Sequence, residues 1–334
     1  MSKKILLAFL IFFALKISAQ IPVGTWRDQF SYRQASGLAI GEKTVYVATE
    51  LALFEYDTED NTTSKLSKLN GLSDAGISCI AYNSATKSLL IAYTNSNIDV
   101  LKNGRIYNLP ELKNKQISGD KNINRIEMLG HTAYLACGFG IVVFDTETLE
   151  FSDTYFIGED AGYVSVNDID FDNNYIYAAT KEGLMKCDLA LSYPGDYRNW
   201  SKIRNIPHEN DNFGFIKIFN EDIIFFEDED ANGYGNLYKI HNNAYSAFDN
   251  TIRSVRDMQI SENQLIISDK TKVKIYNSDG SEPQLVSQYI IYDSTYTTST
   301  LSSAQLSSDG TLYITDREFG LIKKSNEYFE QILP

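Results

Sequence analysis

Seven short apolar runs recur at a near-constant interval, and this repeat constrains the fold more than any other feature of the sequence. They are Val45-Tyr46-Val47, Leu89-Leu90-Ile91, Ala133-Tyr134-Leu135, Ile176-Tyr177-Ala178, Ile223-Ile224-Phe225, Leu265-Ile266-Ile267 and Leu312-Tyr313-Ile314. Their first residues are spaced by 44, 44, 43, 47, 42 and 47. Eleven and twelve positions downstream the repeats agree again, at Tyr56-Asp57, Phe144-Asp145, Cys187-Asp188 and Tyr276-Asn277.

Each unit reads as four short strands. The second is the clearest, with strands expected at 77–82, 88–93, 98–101 and 105–109 between Asn, Ser and Gly turn residues. Helical repeats of this length would show a 3.6-residue period, which is missing, and leucine-rich repeats are shorter. One four-stranded sheet cannot bury both faces alone. Stacked radially, each face packs on a neighbour, so runs apolar at consecutive positions become favourable.

The expected fold is therefore all-β, a seven-bladed β-propeller of four-stranded antiparallel blades. The blades fall at about 35–74, 75–121, 122–165, 166–211, 212–253, 254–298 and 299–334. The repeat is least regular around Ile223 and Leu312, which leaves six or eight blades open. A ring must also be closed, because a free blade edge invites pairing with other chains. Within 20–34, the strand-like stretch 24–31 could add to the last blade as a clasp, and 328–333 competes for that place.

Composition agrees with a sheet protein: 43% of the 334 residues are hydrophobic and 13% aromatic, with 22 Tyr and 18 Phe. Residues 1–19 hold Lys3, Lys4, Lys16, an apolar stretch and a small-residue end, so they read as a secretory signal cleaved between Ala19 and Gln20. Removing these three lysines takes the formal charge from -14 to -17. A chain so acidic, without a basic run, is a poor partner for nucleic acid. Beyond the signal no apolar run is long enough to span a membrane. Cys79, Cys137 and Cys187 are an odd number for an exported protein, and read as small buried hydrophobes rather than a disulfide framework.

Residues with catalytic potential do not assemble into a known motif. His131, His208 and His241 lie in separate repeats, none at metal-ligand spacing from another His or Cys. Gly138-Phe139-Gly140 lacks the third glycine and following helix of a phosphate cradle, and reads as a turn. Asp168-Ile169-Asp170-Phe171-Asp172 alternates along an expected strand, which states only the face each side chain takes. Asp228, Asp230 and Asn232, followed by Gly233, match the first half of a calcium loop. Position twelve is Lys239 instead of a bidentate Glu, and the same residues suit an acidic hairpin turn. No catalytic residue and no cofactor beyond this calcium are expected.

Asn70-Gly71-Leu72-Ser73-Asp74, followed by Ile77-Ser78-Cys79-Ile80, resembles the propeller repeats of bacterial sensor ectodomains. A closer resemblance is carried by several phrases in order: Gly24-Thr25-Trp26-Arg27-Asp28, Asn97-Ile98-Asp99-Val100, Ile117-Ser118-Gly119-Asp120-Lys121, Cys137-Gly138-Phe139-Gly140-Ile141 and Asp153-Thr154-Tyr155-Phe156-Ile157-Gly158. Together these look like the amino-terminal propeller of the PorZ family, from about Gly24 to the end. The resemblance implies a non-catalytic scaffold of the type IX secretion system of Bacteroidetes, in an attachment complex with the sortase PorU and with PorV and PorQ. It also implies export to the periplasm or outer-membrane surface, and a role in presenting anionic lipopolysaccharide. A propeller of charge -17 would need a local basic pocket to hold such a polymer.

Members of that family continue with a second propeller and a carboxy-terminal sandwich, whereas this sequence stops at Pro334, so it is expected to be shorter than the full architecture. The alternative role is a periplasmic sensory propeller of a two-component-type regulator. A propeller lyase or hydrolase is a third reading, resting only on the many carboxylates.

Overall fold

The computed structural model describes residues 30–334 apart from 191, 231–232, 278–282, 291–299 and 326–327. The expected signal segment, its expected Ala19–Gln20 junction and residues 20–29 lie outside the described residues. Among those described, the strands form seven four-stranded antiparallel sheets, each built from four strands consecutive in sequence. The chain is a seven-bladed β-propeller, which resolves the six-or-eight ambiguity.

Blade one consists of β1 (Ala35–Ile40), β2 (Thr44–Thr49), β3 (Leu53–Asp57) and β4 (Thr63–Leu66). The innermost strands of the next six blades are β5 (Ile77–Asn83), β9 (Ile123–Leu129), β13 (Val166–Phe171), β17 (Phe213–Phe219), β21 (Val255–Ser261) and β25 (Leu301–Leu306). Their second strands are β6 (Ser88–Tyr93), β10 (Thr132–Cys137), β14 (Tyr175–Thr180), β18 (Asp222–Asp228), β22 (Gln264–Asp269) and β26 (Leu312–Asp316). All seven apolar runs of the repeat lie on these second strands.

The reason is visible in β6, where all six residues are buried. Leu89, Ile91 and Tyr93 face blade one, in a cluster with Ala48, Leu53 and Leu72. Leu90 and Ala92 face blade three, in a cluster with Ile123, Ala133 and Leu135. Period-two alternation thus feeds two different cores, and each buried Leu contributes about 1.5–3 kcal/mol. The downstream agreement has a separate origin. Asp57, Asp145 and Asp188 each end a third strand and accept the backbone N–H two residues on, from Glu59, Glu147 and Ala190, at 2.8 Å. These Asx turns start the outer hairpins.

The Gly138-Phe139-Gly140 segment is the turn from β10 into the third strand of its blade. Gly140 has φ of +148°, and a Cβ there would stand 2.2 Å from the Tyr155 carbonyl oxygen, so only glycine fits.

The outer edge of blade seven is β28 (Tyr328–Ile332), the second of the two candidates for that place. Of the first, residues 24–29 lie outside the described residues, while Phe30 and Ser31 are not in a strand. The described ring closes by packing blade seven against blade one. Tyr32, Val45, Val47, Phe54 and Tyr56 share a core with Tyr313, Leu321 and Ile332. Lys323 Nζ donates to Tyr56 Oη at 3.2 Å across this seam.

Candidate functional site

The seven innermost strands surround the central channel, and six of them together with β1 carry the same irregularity. In every blade one residue is bulged out of register with the second strand: Ser36, Ser78, Asn124, Asn167, Gly214, Arg256 and Ser302. All seven line one cavity of about 400 Å³ at the channel mouth. A bulge adds a residue and re-aims its side chain. Here several reach the next blade. Asn124 Nδ2 donates to the Val166 carbonyl at 2.7 Å, Asn167 Nδ2 to the Phe213 carbonyl at 2.8 Å, and Ser302 Oγ to the Ala35 carbonyl at 2.8 Å. Each acceptor is the first residue of the next innermost strand, and the last bond joins blade seven to blade one.

In six blades the residue after the bulge also lines the cavity, among them Arg125, Asp257 and Ser303, while the seventh, Asp168, is fully buried beside Arg125. Arg125, 16% exposed along its side chain, bridges the channel. Its Nε lies 3.1 Å from Asp168 Oδ1 in blade four, and its Nη2 bonds Asp257 Oδ1 and the Met258 carbonyl in blade six, the latter at 2.9 Å. Ser303 Oγ donates to the other Asp257 oxygen. Below, Lys217 Nζ, 2% exposed, reaches Glu127 Oε2 at 2.8 Å, Asp168 Oδ1 at 3.4 Å and the Ile169 carbonyl at 3.2 Å. The guanidinium of Arg125 also lies over the Phe215 ring, 5.4 Å from its centroid.

The Asp168–Asp172 alternation, left without a role by sequence alone, has a structural one. Asp168 Oδ2 accepts the Ile216 N–H at 3.1 Å and Asp170 Oδ2 the Ile218 N–H at 2.6 Å, so both stitch β13 to β17. Asp172 instead closes the following turn through the Asn174 and Tyr175 N–H groups, both at 2.7 Å. Burial pushes the Asp168 carboxyl up against the pull of Lys217 and Arg125. Burial likewise raises Asp170 to about 7, opposed by Lys217 and reinforced by Glu127. For Arg125 and Lys217 burial acts downward, but the surrounding carboxylates prevail and hold both above their ordinary values. The network therefore plugs the channel with charges committed to one another.

The calcium-loop residues are divided. The Asp228 carboxyl turns inward to accept from Asn212 Nδ2 at 2.8 Å, and burial raises it to about 6. Asp230 accepts the Tyr234 N–H at 3.1 Å within the β18 hairpin turn, and Asn232 lies outside the described residues. Lys239, at position twelve, lies near the far end of β18, with Nζ 3.8 Å from Asp222 Oδ2. Of the cysteines, Cys137 and Cys187 are buried and Cys79 is half-buried at the channel mouth; all three are free thiols. His131 lies 3.5 Å from Asp145, and His241 2.5 Å from Asp222.

Sequence reading missed Arg125, Glu127, Lys217 and Asp257. The position after the bulge falls eight residues before the apolar run in five blades, at Gly37, Arg125, Asp168, Phe215 and Asp257, so aligning the repeats on that run brings out Arg125, Asp168 and Asp257 together; Ser303 and Cys79 fall nine and ten before it.

The fold and the plugged channel define a seven-bladed β-propeller stitched blade to blade from within. Residues 45–201, from β2 into the last strand of blade four, match the family model of the type IX secretion system PorZ N-terminal β-propeller domain. This match agrees with the resemblance read from the sequence. The solved structure of PorZ from Porphyromonas gingivalis, described as an essential bacterial surface component of the type IX secretion system, is similar with a TM-score of 0.76 at 24% identity. The likeness covers 93% of this chain and 40% of that protein. No curated protein matches in sequence.

Several phrases that carried the resemblance are structural. Asp74 Oδ2 accepts from Lys113 Nζ at 2.8 Å and from Asn95 and Asn97 Nδ2 at 2.9 Å. Burial would raise this carboxyl, but these partners hold it well below the ordinary range. Buried Asp99 accepts the Ser73 N–H at 2.8 Å and the Tyr93 hydroxyl at 2.6 Å. Lys121 Nζ donates to the Leu112, Lys113 and Lys115 carbonyls at the end of the short helix Glu111–Asn114. These contacts fix the crossovers flanking blade two.

Proposed function

We propose that the chain is a non-catalytic scaffold of the type IX secretion attachment complex, exported to the cell envelope and working beside the sortase PorU with PorV and PorQ. The observation that carries this reading is the PorZ family match across blades one to four. The site geometry favours it over a hydrolase or lyase. General acid–base chemistry needs a proton-transfer group within reach of a bound substrate. In the channel Asp168, Glu127 and Asp257 instead hold Lys217 and Arg125. Among the described residues no helix is long and apolar enough to cross a membrane. The formal charge, -14 for the chain and -17 without residues 1–19, disfavours direct capture of lipopolysaccharide by this propeller.

The test is immunoprecipitation of the chain from native envelopes with mass spectrometry of what accompanies it. Recovery with the sortase and its outer-membrane companions is the expected result. Recovery with an inner-membrane kinase, or with no attachment subunit, overturns the reading.

A further inference from the structure

Away from the channel, three side chains converge where blade four meets blade five. His208 and Asp211 lie exposed on the connection leading into β17, and Glu227 lies near the end of β18, opposite Phe213 in the ladder. One donor atom from each falls within 4.8 Å of the others. Glu227 is only 1% exposed. Its Oε1 bonds His208 Nδ1, while its Oε2 is buried and has no hydrogen-bond partner among the described residues. An orphaned carboxylate oxygen is among the most unfavourable groups to bury, so its retention asks for a positive partner.

Two described arginines of the flanking segments are engaged with other groups. Arg204 pairs with Glu209 at 2.6 Å, and Arg253 bonds Asn236 and lies 3.5 Å from Glu229. Asp211 and Glu229 add negative potential around Glu227, whose carboxyl burial already pushes up and which only the His208 bond and charge bring down.

We propose that His208, Asp211 and Glu227 bind a divalent transition-metal ion of the zinc type, fastening the connection between blades four and five to β18. The donor set is the argument for the class of ion: one imidazole nitrogen and two carboxylates suit zinc and its neighbours, whereas calcium takes oxygen donors only. A tetrahedral ion with bonds of about 2.0–2.2 Å needs donors roughly 3.3–3.6 Å apart. Buried Glu227 is the fixed anchor, and the exposed His208 and Asp211 can close by that amount. The fourth position faces solvent, open to water or to a donor from a bound partner. This site is separate from the Asp228–Asp230–Asn232 loop, because Asp228 is turned towards Asn212.

The experiment titrates the purified full chain with zinc, cobalt(II) and calcium chlorides by calorimetry, reading the visible d–d bands of cobalt in parallel. One saturable equivalent of zinc is expected, with a tetrahedral cobalt spectrum. Asp211→Asn and Glu227→Gln should each weaken binding by at least about tenfold, and His208→Ala should abolish the cobalt bands. Asp230→Asn should change neither. His208 and Asp211 are exposed, so their variants keep the fold even where Glu227→Gln does not, and unchanged circular dichroism melting of the apo-proteins checks this. Absence of saturable binding at about millimolar zinc, retention of full affinity in both His208→Ala and Asp211→Asn, or a preference for calcium would each overturn the proposal.

Discussion

Replacing Arg125 by Met tests whether the channel plug holds the ring together. The side chain joins blade three to Asp168 in blade four at 3.1 Å and to Asp257 and the Met258 carbonyl in blade six. Removing one member of a buried ion pair generally costs about 3–5 kcal/mol, because the partner is left charged and unpaired. Asp168 would keep Lys217 at 3.4 Å and the Ile216 N–H, and Asp257 would keep Ser303 and the Met258 N–H at 2.9 Å. That residual pairing places the expected loss at the lower end, about 3 kcal/mol.

Urea unfolding of Arg125→Met, Asp257→Asn and the double variant measures the loss and the coupling, expected at about 1.5–3 kcal/mol for a charged hydrogen bond. The pH dependence has a definite sign. Burial already raises the Asp168 carboxyl, and losing the guanidinium raises it further, so the native variant binds more protons than the unfolded chain above the unfolded carboxylate pKa. The penalty of the substitution is therefore smaller at pH 5 than at pH 8. A loss below about 1 kcal/mol, additive single effects within about 0.5 kcal/mol, or an equal penalty at both pH values would refute the reasoning.

Three further outcomes follow from the same contacts. Ser302→Ala with Gln305→Ala removes the hydrogen bonds from blade seven to the Ala35 and Leu38 carbonyls, at 2.8 and 3.1 Å. It should cost about 0.5–1.5 kcal/mol per bond and speed hydrogen exchange in Ala35–Ile40 more than in β9 or β13; uniform acceleration would deny the seam its special role. Burial raises Asp170 to about 7, so the stability it contributes below the unfolded carboxylate value is lost as pH rises through about 7. Urea midpoints should therefore fall less between pH 5 and pH 8 in Asp170→Asn than in the wild type, and parallel curves would contradict the shift. Burial pushes the thiols up, Cys79 to about 12 and Cys187 to about 11. A disulfide reagent at pH 8 should leave all three thiols unlabelled in the native protein and modify them in urea, and rapid labelling of native Cys79 would show an open channel mouth.

The blades were legible because their information is local. A run such as Ser88 to Tyr93 must be buried on both faces, and a recurring Asp after an apolar residue starts a turn within three positions, so both leave a periodic trace. The channel plug leaves no such trace. Arg125 and Asp257 meet across 132 positions, and nothing at either one names the other. Only the roundness of the fold makes blade three face blade six. The His208–Asp211–Glu227 cluster escaped for a related reason, since a spacing rule for metal ligands looks along one strand or loop. Here the ligands come from a loop and the second strand of the following hairpin. In the Asp228–Asn232 loop the two described acidic residues part company: Asp228 turns towards Asn212, while Asp230 accepts the Tyr234 N–H.

Closure of the ring and plugging of the channel have one geometric cause. A bulge at the second residue of an innermost strand frees one side chain to reach the next blade, and returns the following residue to the channel. Asn124 and Asn167 use the first consequence between consecutive blades, and Ser302 repeats the move towards Ala35 as though blade one simply came next. The second consequence places Arg125, Asp168, Asp257 and Ser303 at one level around the axis, close enough to neutralise one another. A shared closing strand would secure only the outer edge of blade seven, whereas this arrangement ties the seam near the axis, where the plug joins blades three to seven. The outer edges and the connections between blades are left to other work, which is where both a protein partner and the His208–Asp211–Glu227 cluster find room.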